Sequence, residues 1–237
     1  MNYSNIISGR FIRRHNRFTA DVSIDGKVET VHVKNTGRCR ELLLPDAEVF
    51  LTQSDNPARK TSYDLVAVKK LRGNQEPLLI NMDSQIPNAA AWEWLPVSGY
   101  FSPEATLRRE VSWGSSRFDI FAQDGERKAF IEVKGVTLEN DGTALFPDAP
   151  TERGVKHLNE LIRAVDAGFE AWVLFVIQMK EIHTFCPNDA MHPQFGDTLR
   201  RAAGCGVKIM AVDCLITPES ITIDREINLS LFREVPR

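Results

Sequence analysis

The 237-residue chain lacks most of the features that assign a function quickly. Its four cysteines, Cys39, Cys186, Cys205 and Cys214, show neither Cys-x-x-Cys spacing nor histidines at zinc-finger intervals. Neither a disulfide framework nor a structural zinc is indicated, and reduced thiols are expected. No apolar run reaches membrane-spanning length: Ala171 to Met179 is broken by Gln178 and reads as a buried strand. The segment Met1 to Arg17 has no apolar signal-peptide core and gathers Arg10, Arg13, Arg14 and Arg17 instead. That pattern predicts a cytoplasmic protein with no membrane partner, in which the sequons at Asn2 and Asn228 carry no glycan. Low-complexity tracts and internal repeats are missing, and so is any helix-turn-helix or zinc-finger signature, which disfavours a sequence-specific repressor. Gly204-Cys-Gly206 reads as a helix end rather than a phosphate loop.

With 43% hydrophobic and 26% charged residues the composition is that of a packed globular chain, and its length suits two small domains. The net charge of −3 hides an asymmetry: residues 1–80 hold 13 Lys and Arg against 9 Asp and Glu, and the remainder holds 16 against 23. A basic first part beside an acidic second part suits a polyanion-binding module joined to a part whose carboxylates hold metal. Solvated surfaces of opposite sign give the same count.

Phe18 to Ile24 and Lys27 to Val33 flank Asp25-Gly26, a dipeptide that tolerates positive φ at both positions, so a β-hairpin is expected to open the chain. Further strand-like runs at Glu48 to Gln53, Tyr63 to Leu71 and Glu76 to Met82 make five short strands, the pattern of a small OB-type barrel. Ser84 to Leu95 reads as a short helix or apolar connector, which places a domain boundary near residue 83 and divides the chain into 1–83 and 84–237. Beyond it, extended runs at Ala105 to Trp113, Arg117 to Gln123 and Arg127 to Lys134 precede a helix with Val155, Leu158, Leu161, Ile162 and Val165 on one face. Thr151 is placed to cap that helix and Gly168 to end it. Ala171 to Gln178, Glu181 to Phe185, a helix across Ala190 to Ala203 and Val207 to Val212 complete an α/β arrangement, a mixed sheet with helices packed on it.

The chemistry concentrates on the second of these hairpins. A two-residue turn at Asp124-Gly125 pairs Gln123 with Glu126 and puts Phe118, Ile120, Ala122, Ala129, Ile131 and Val133 on one apolar face. Asp119, Glu132 and Lys134 then share the other face, the two carboxylates as diagonal neighbours roughly 7–8 Å apart. Two hard anionic ligands, open positions for water and phosphate, and an adjacent ammonium are what metal-assisted phosphodiester cleavage requires. Mg²⁺ or Mn²⁺ is the expected cofactor, with Glu110 as a further carboxylate ligand. The same spacing also suits a solvent-exposed strand of alternating charge. Asp148, Glu152 and Arg153 lie just before or at a helix N-terminus, where backbone N–H groups favour anions, although Thr151 and Glu152 serve equally well as plain helix caps. His157 and Gln178 are weaker candidates. In the first part, GRFIRRHNRF (Gly9 to Phe18) interleaves Arg10, Arg13, Arg14 and Arg17 with aromatics, while Arg38, Arg59 and Lys60 follow turn residues. These cations, with Arg153, are the expected nucleic-acid contacts, on DNA or alternatively RNA.

At these residues the chain resembles the sugar fermentation stimulation protein A family, through IRRHNRF with TADV, NTGR, NPARK, SSRFDIF, IEVKGVTL, LFPDAPTERGVKHLNELI and LFVIQ, in order across residues 9–178. The resemblance implies an N-terminal OB-like domain and a C-terminal domain like PD-(D/E)xK nucleases. It further implies DNA binding without sequence specificity and a role in regulating sugar, notably maltose, metabolism. By position the nuclease motif falls on Asp119, Glu132 and Lys134. Two residues depart from the family pattern, Gly135 in place of Asn and Cys39 in place of Met. A DNA-binding protein with a nuclease-like metal domain is thus the leading expectation, and an active Mg²⁺- or Mn²⁺-dependent nuclease the alternative.

Overall fold

The computed structural model describes residues 1–35, 37–54, 56, 58–73 and 75–232. Its first part consists of β1 (Ile6–Arg14), β2 (Thr19–Ile24), β3 (Lys27–Val33), β4 (Glu48–Gln53), β5 (Tyr63–Arg72) and β6 (Gln75–Asn81). The strands run in the order β3-β2-β1-β4-β5-β6, and a parallel pairing of β3 with β5 closes the first five into a barrel. The Asp25-Gly26 turn joins β2 to β3 with both residues at positive φ, 48° and 78°. That hairpin does not open the chain, because β1 precedes it and takes a barrel position that the sequence pattern assigns to β6. In β1 only Phe11 is buried and a bulge separates Phe11 from Arg13, so the alternation that marks a half-buried strand is absent. Gly9 is what lets β1 approach β2: a Cβ there would lie 2.6 Å from Val22 Cγ1.

The barrel is closed at the pair His32–Asp64, and Asp64 carries that closure chemically. Its carboxylate accepts from His32 Nδ1 at 2.9 Å and from both Arg59 Nη atoms, at 2.9 and 2.5 Å. Burial pushes this carboxyl up, but the hydrogen bonds from Arg59 and His32 outweigh it and hold the group below its ordinary value.

The second part begins with α1 (Ile86–Trp94) and a single 3-10 turn, Leu95–Val97. It continues through β7 (Thr106–Trp113), β8 (Ser116–Asp124), β9 (Arg127–Val136), β10 (Leu138–Asn140), β11 (Thr143–Phe146) and α2 (Glu152–Asp166). Then follow β12 (Glu170–Ile177), β13 (Thr184–Pro187), α3 (Pro193–Gly204), β14 (Lys208–Thr217), β15 (Ser220–Glu226) and β16 (Asn228–Leu229). The main sheet has the order β15-β14-β12-β9-β8-β7, with β9, β12 and β14 parallel, and a small sheet β10-β11-β13-β16 stands beside it. Thr151 caps α2 by accepting from Gly154 N at 3.1 Å, and Gly168 ends the connection at φ 87°. The apolar stripe of α2, Val155, Leu158 and Leu161, joins a core that continues from the barrel interior through Phe175 and Phe195. On the other side of the sheet α1 covers a second core of Ile120, Ile131, Val133, Trp172 and Leu174. No described helix is long and apolar enough to cross a membrane.

Two details of the β8–β9 hairpin correct the sequence reading. The turn is Gly125-Glu126, closed by the pair Asp124–Arg127, so each pairing is shifted by two residues from the expected one. Asp124 is held at the strand end because its carboxylate accepts from Ser102 Oγ at 2.6 Å and Ser102 N at 3.0 Å. A two-residue shift by itself moves no side chain to the other face. The second correction concerns Phe118, which sits in the α2-side core against Phe130, ring centroids 5.2 Å apart, and not with Ile120 under α1. Alternation breaks at Asp119: the β8–β9 ladder stops at Ile120–Ile131, and the β7–β8 ladder skips from Arg109–Ile120 to Val111–Phe118 across Glu110, whose φ is 54°.

Replacing Asp64 with Asn tests the barrel closure. Because the folded carboxyl lies below its ordinary value near 4, its contribution is present above that pH and is lost as pH falls through the folded value. Urea unfolding is expected to show a loss of about 1–2 kcal/mol at pH 7 that shrinks toward pH 3. Equal stabilities at pH 7 would remove Asp64 from this role.

Candidate metal centre

Glu132 lies in the middle of the main sheet, between β8 and β12, with its side chain only 3% exposed. Both of its hydrogen bonds fall on one oxygen: Lys134 Nζ donates to Oε1 at 2.5 Å, and His157 Nδ1 meets the same atom from α2. The other oxygen, Oε2, is buried with no hydrogen-bond partner. Burial raises the Glu132 carboxyl, yet the His157 hydrogen bond and the Lys134 charge prevail and hold it below the ordinary range.

Asp119 occupies the break in β8. Its Oδ2 accepts from Val133 N at 2.8 Å, where a strand carbonyl would otherwise sit, and its Oδ1 accepts from Asn88 Nδ2 of α1 at 2.8 Å. Burial first, and the negative charge of Glu132 second, push its carboxyl above the usual aspartate value. The two carboxylates therefore feel each other, and the corrected register puts them at opposing positions just past the last ladder pair rather than diagonally. Opposed carboxylates, one with a desolvated oxygen that no donor reaches, suit a hard divalent cation.

The other expected ligand is elsewhere. Glu110 is exposed and pairs with Arg117 at 3.6 Å. Among the described residues no group of three or more His, Cys, Asp and Glu side chains is arranged to hold a metal, so Glu110 does not complete a three-carboxylate set. Two side chains join the site that the sequence pattern marks weakly or not at all. Asn88 carries no signal in its Ala-rich segment. His157 does carry one, since it falls with Leu161 and Ala164 on the buried phase of α2, a polar residue in an apolar stripe.

The expected nucleic-acid contacts separate into two sets. Arg14 donates to five backbone carbonyls, those of Asn16, Arg17, Asn35, Gly37 and Arg38, at 2.6–3.0 Å. A guanidinium has five N–H donors, so none remains for a phosphate. Arg59 is engaged by Asp64, and Arg153 Nε donates to His157 Nε2 at 3.4 Å. Arg10 and Arg13 each make one protein hydrogen bond, to Asp46 O and to Asp21, while Arg38 and Lys60 are exposed. Arg17 lines a cleft of about 350 Å³ between the barrel loops and the second part, along with Asn35, Gly135, Asp148, Thr151 and Gln178. Glu152 is exposed and faces His192 at 3.4 Å.

Gly135 follows Lys134 at the wall of this cleft. A Cβ there would stand 2.5 Å from Gln178 Oε1 and 2.7 Å from Pro87 Cγ. Gln178 is fixed in turn, its Nε2 donating to Asn81 O, Asn81 Oδ1 and Asp83 O at 3.0–3.1 Å. The missing side chain at 135 thus gives a close approach between sheet and junction rather than a slack position.

A closed OB-type barrel followed by a mixed sheet with a paired-carboxylate centre defines the class of protein. Residues 12–74 match the family described as the SfsA N-terminal OB domain, and residues 85–220 match the sugar fermentation stimulation protein RE domain. The chain belongs to the sugar fermentation stimulation protein family. It is 58% identical to a sugar fermentation stimulation protein homolog of Desulfitobacterium hafniense over 93% of this chain and 94% of that one. With the homolog from Clostridium beijerinckii it shares 52% identity over 94% and 96% of the two chains. A solved structure of Pyrococcus furiosus SfsA in complex with Ca²⁺ superposes with a TM-score of 0.83 at 26% identity, covering 97% of this chain and 98% of that one.

Gly135→Ala is expected to lower unfolding free energy by about 1–3 kcal/mol through overpacking, read as a fall in the urea midpoint. A midpoint unchanged from wild type would show that Gln178 and Pro87 yield without cost.

Proposed function

We propose that this protein binds DNA without sequence specificity and holds a divalent cation between Asp119 and Glu132. The observation that carries the metal reading is the buried, partnerless Oε2 of Glu132 next to a second carboxylate. The Ca²⁺ complex of the Pyrococcus furiosus relative supports a divalent ion in this fold. Mg²⁺ or Mn²⁺ suits the same oxygen ligands. The DNA reading rests on the barrel class and on Arg10, Arg13, Arg17, Arg38 and Lys60, which keep donors available. A role in sugar metabolism, maltose included, is the family's contribution to the proposal.

Cleavage of phosphodiesters is a second reading, favoured by Lys134. A bound cation supplies positive charge to a phosphate and lowers the pKa of water. Lys134 holds an ammonium beside Glu132, where it can orient a nucleophile or meet developing negative charge, and Asn88 and Val133 N keep Asp119 facing the centre.

Calorimetry with Mn²⁺ should detect binding to wild type and a loss of about tenfold or more in Glu132→Gln, with a cooperative melting transition showing that the variant is folded. No binding to wild type, with DNA absent or present, returns these side chains to a charged seam. In DNA titrations the Arg13→Ala/Arg17→Ala double variant is expected to lose affinity equally on unrelated duplexes, and its salt slope should flatten by roughly 0.9 for each phosphate no longer neutralised. Tight preference for one operator would overturn the non-specific reading. On the cleavage reading, activity should require Mg²⁺ or Mn²⁺ and disappear in Glu132→Gln and Lys134→Ala while DNA binding survives.

A further inference from the structure

The Glu132 centre has an asymmetry that two liganding carboxylates do not need. Lys134 and His157 both address Oε1, and neither addresses Oε2. A carboxylate held by one flexible ammonium can turn, and the ammonium can swing to bridge both oxygens. A second donor on the same oxygen, carried by a helix, removes that freedom.

The imidazole can play this part in only one tautomer, and its far side selects it. Arg153 Nε donates to His157 Nε2 at 3.4 Å. A guanidinium is always a donor, so this contact favours Nε2 as the accepting nitrogen and with it the tautomer whose N–H is on Nδ1, aimed at Glu132. The ring is itself 8% exposed and packed edge-on against Phe118, 6.4 Å between centroids, which leaves it little room to flip.

We infer that His157 is a positioning residue for the metal centre, its Nδ1–H pinning Oε1 of Glu132 so that Oε2 stays open as the single cation-facing oxygen, with Arg153 fixing the tautomer from behind. This rests on the metal reading above and adds to it: Glu132 would ligate through one oxygen, and α2 would be part of the site. Partners of this kind behind a metal ligand are typically worth 10–100-fold in affinity.

The test is Mn²⁺ affinity by calorimetry on the full chain, with melting curves alongside. His157→Ala is expected to bind about 10–100-fold more weakly. In His157→Asn an amide N–H occupies nearly the place of Nδ1–H, and affinity should return to within about threefold of wild type because the donor is restored. Arg153 is on the outer side of α2, so Arg153→Ala should fold whatever the fate of the others, and the inference expects a smaller loss of about two- to fivefold from tautomer scrambling. If wild type fails to bind Mn²⁺, the metal reading itself has fallen. If wild type binds and His157→Ala binds equally, or Ala and Asn weaken it alike, His157 is packing only and the inference is overturned. Should both His157 variants unfold, Arg153→Ala at wild-type affinity overturns it.

Discussion

A carboxylate buried in the centre of a mixed sheet sets the terms for the rest of this structure. Glu132 pairs across to Val173 on one side, and its side chain is almost wholly removed from water. Charge in such a place costs several kcal/mol unless cations and donors surround it. Lys134 can supply one because a strand side chain two residues on returns to the same face. The other must come from a different element, and α2 delivers His157 only if the helix crosses the sheet at that height. The apolar stripe of α2 seats the helix on the sheet, and that seating brings His157 to Glu132.

The barrel obeys a similar rule with backbone groups instead of charge. The loops after β1 and β3 leave carbonyls without strand partners, and Arg14 gathers five of them. Gln178 does the corresponding work at the junction, tying Asn81 and Asp83 to the end of β12, while Asn81 N donates to Gln178 O at 2.9 Å. A guanidinium and an amide, each with planar and directional donors, thereby connect the barrel loops to one another and the barrel to the sheet. The junction is polar, and Gly135 keeps it narrow.

This division explains what could be read from sequence. Asp25-Gly26 was legible because positive φ at two adjacent positions is a local demand that few residue types meet. The barrel class and the longer elements between α1 and β14 were legible from periodicity, the short strands β10 and β11 were not, and the face that groups Asp119, Glu132 and Lys134 survives a two-residue register error. Strand β1 was not: it is a strand by virtue of neighbours on both sides, and Phe11 is its one buried residue. The turn at Gly125-Glu126 depended on Ser102, more than twenty residues from Asp124 in sequence. Phe118 was misplaced because a period-two rule assumes an unbroken strand, and the strand breaks at Asp119. His157 was visible as a polar residue in an apolar stripe, but its partner lay across the fold.

Charge counting was the least transferable signal. The first 80 residues carry a formal excess of positive charge, which suggested a broad phosphate-binding face. Inside the fold, Arg14 serves loop carbonyls, Arg59 serves Asp64, and outside that segment Arg153 serves His157. A cation saturated by short hydrogen bonds still contributes long-range field, but it offers no donor to a phosphate. The proposed DNA contacts are thereby limited to guanidinium and ammonium groups with donors left over, of which Arg17 lines the cleft beside the loops that Arg14 organises. The arginine with the most hydrogen bonds is therefore the one least able to touch nucleic acid, yet it holds in place the loops from which Arg17 and Arg38 project.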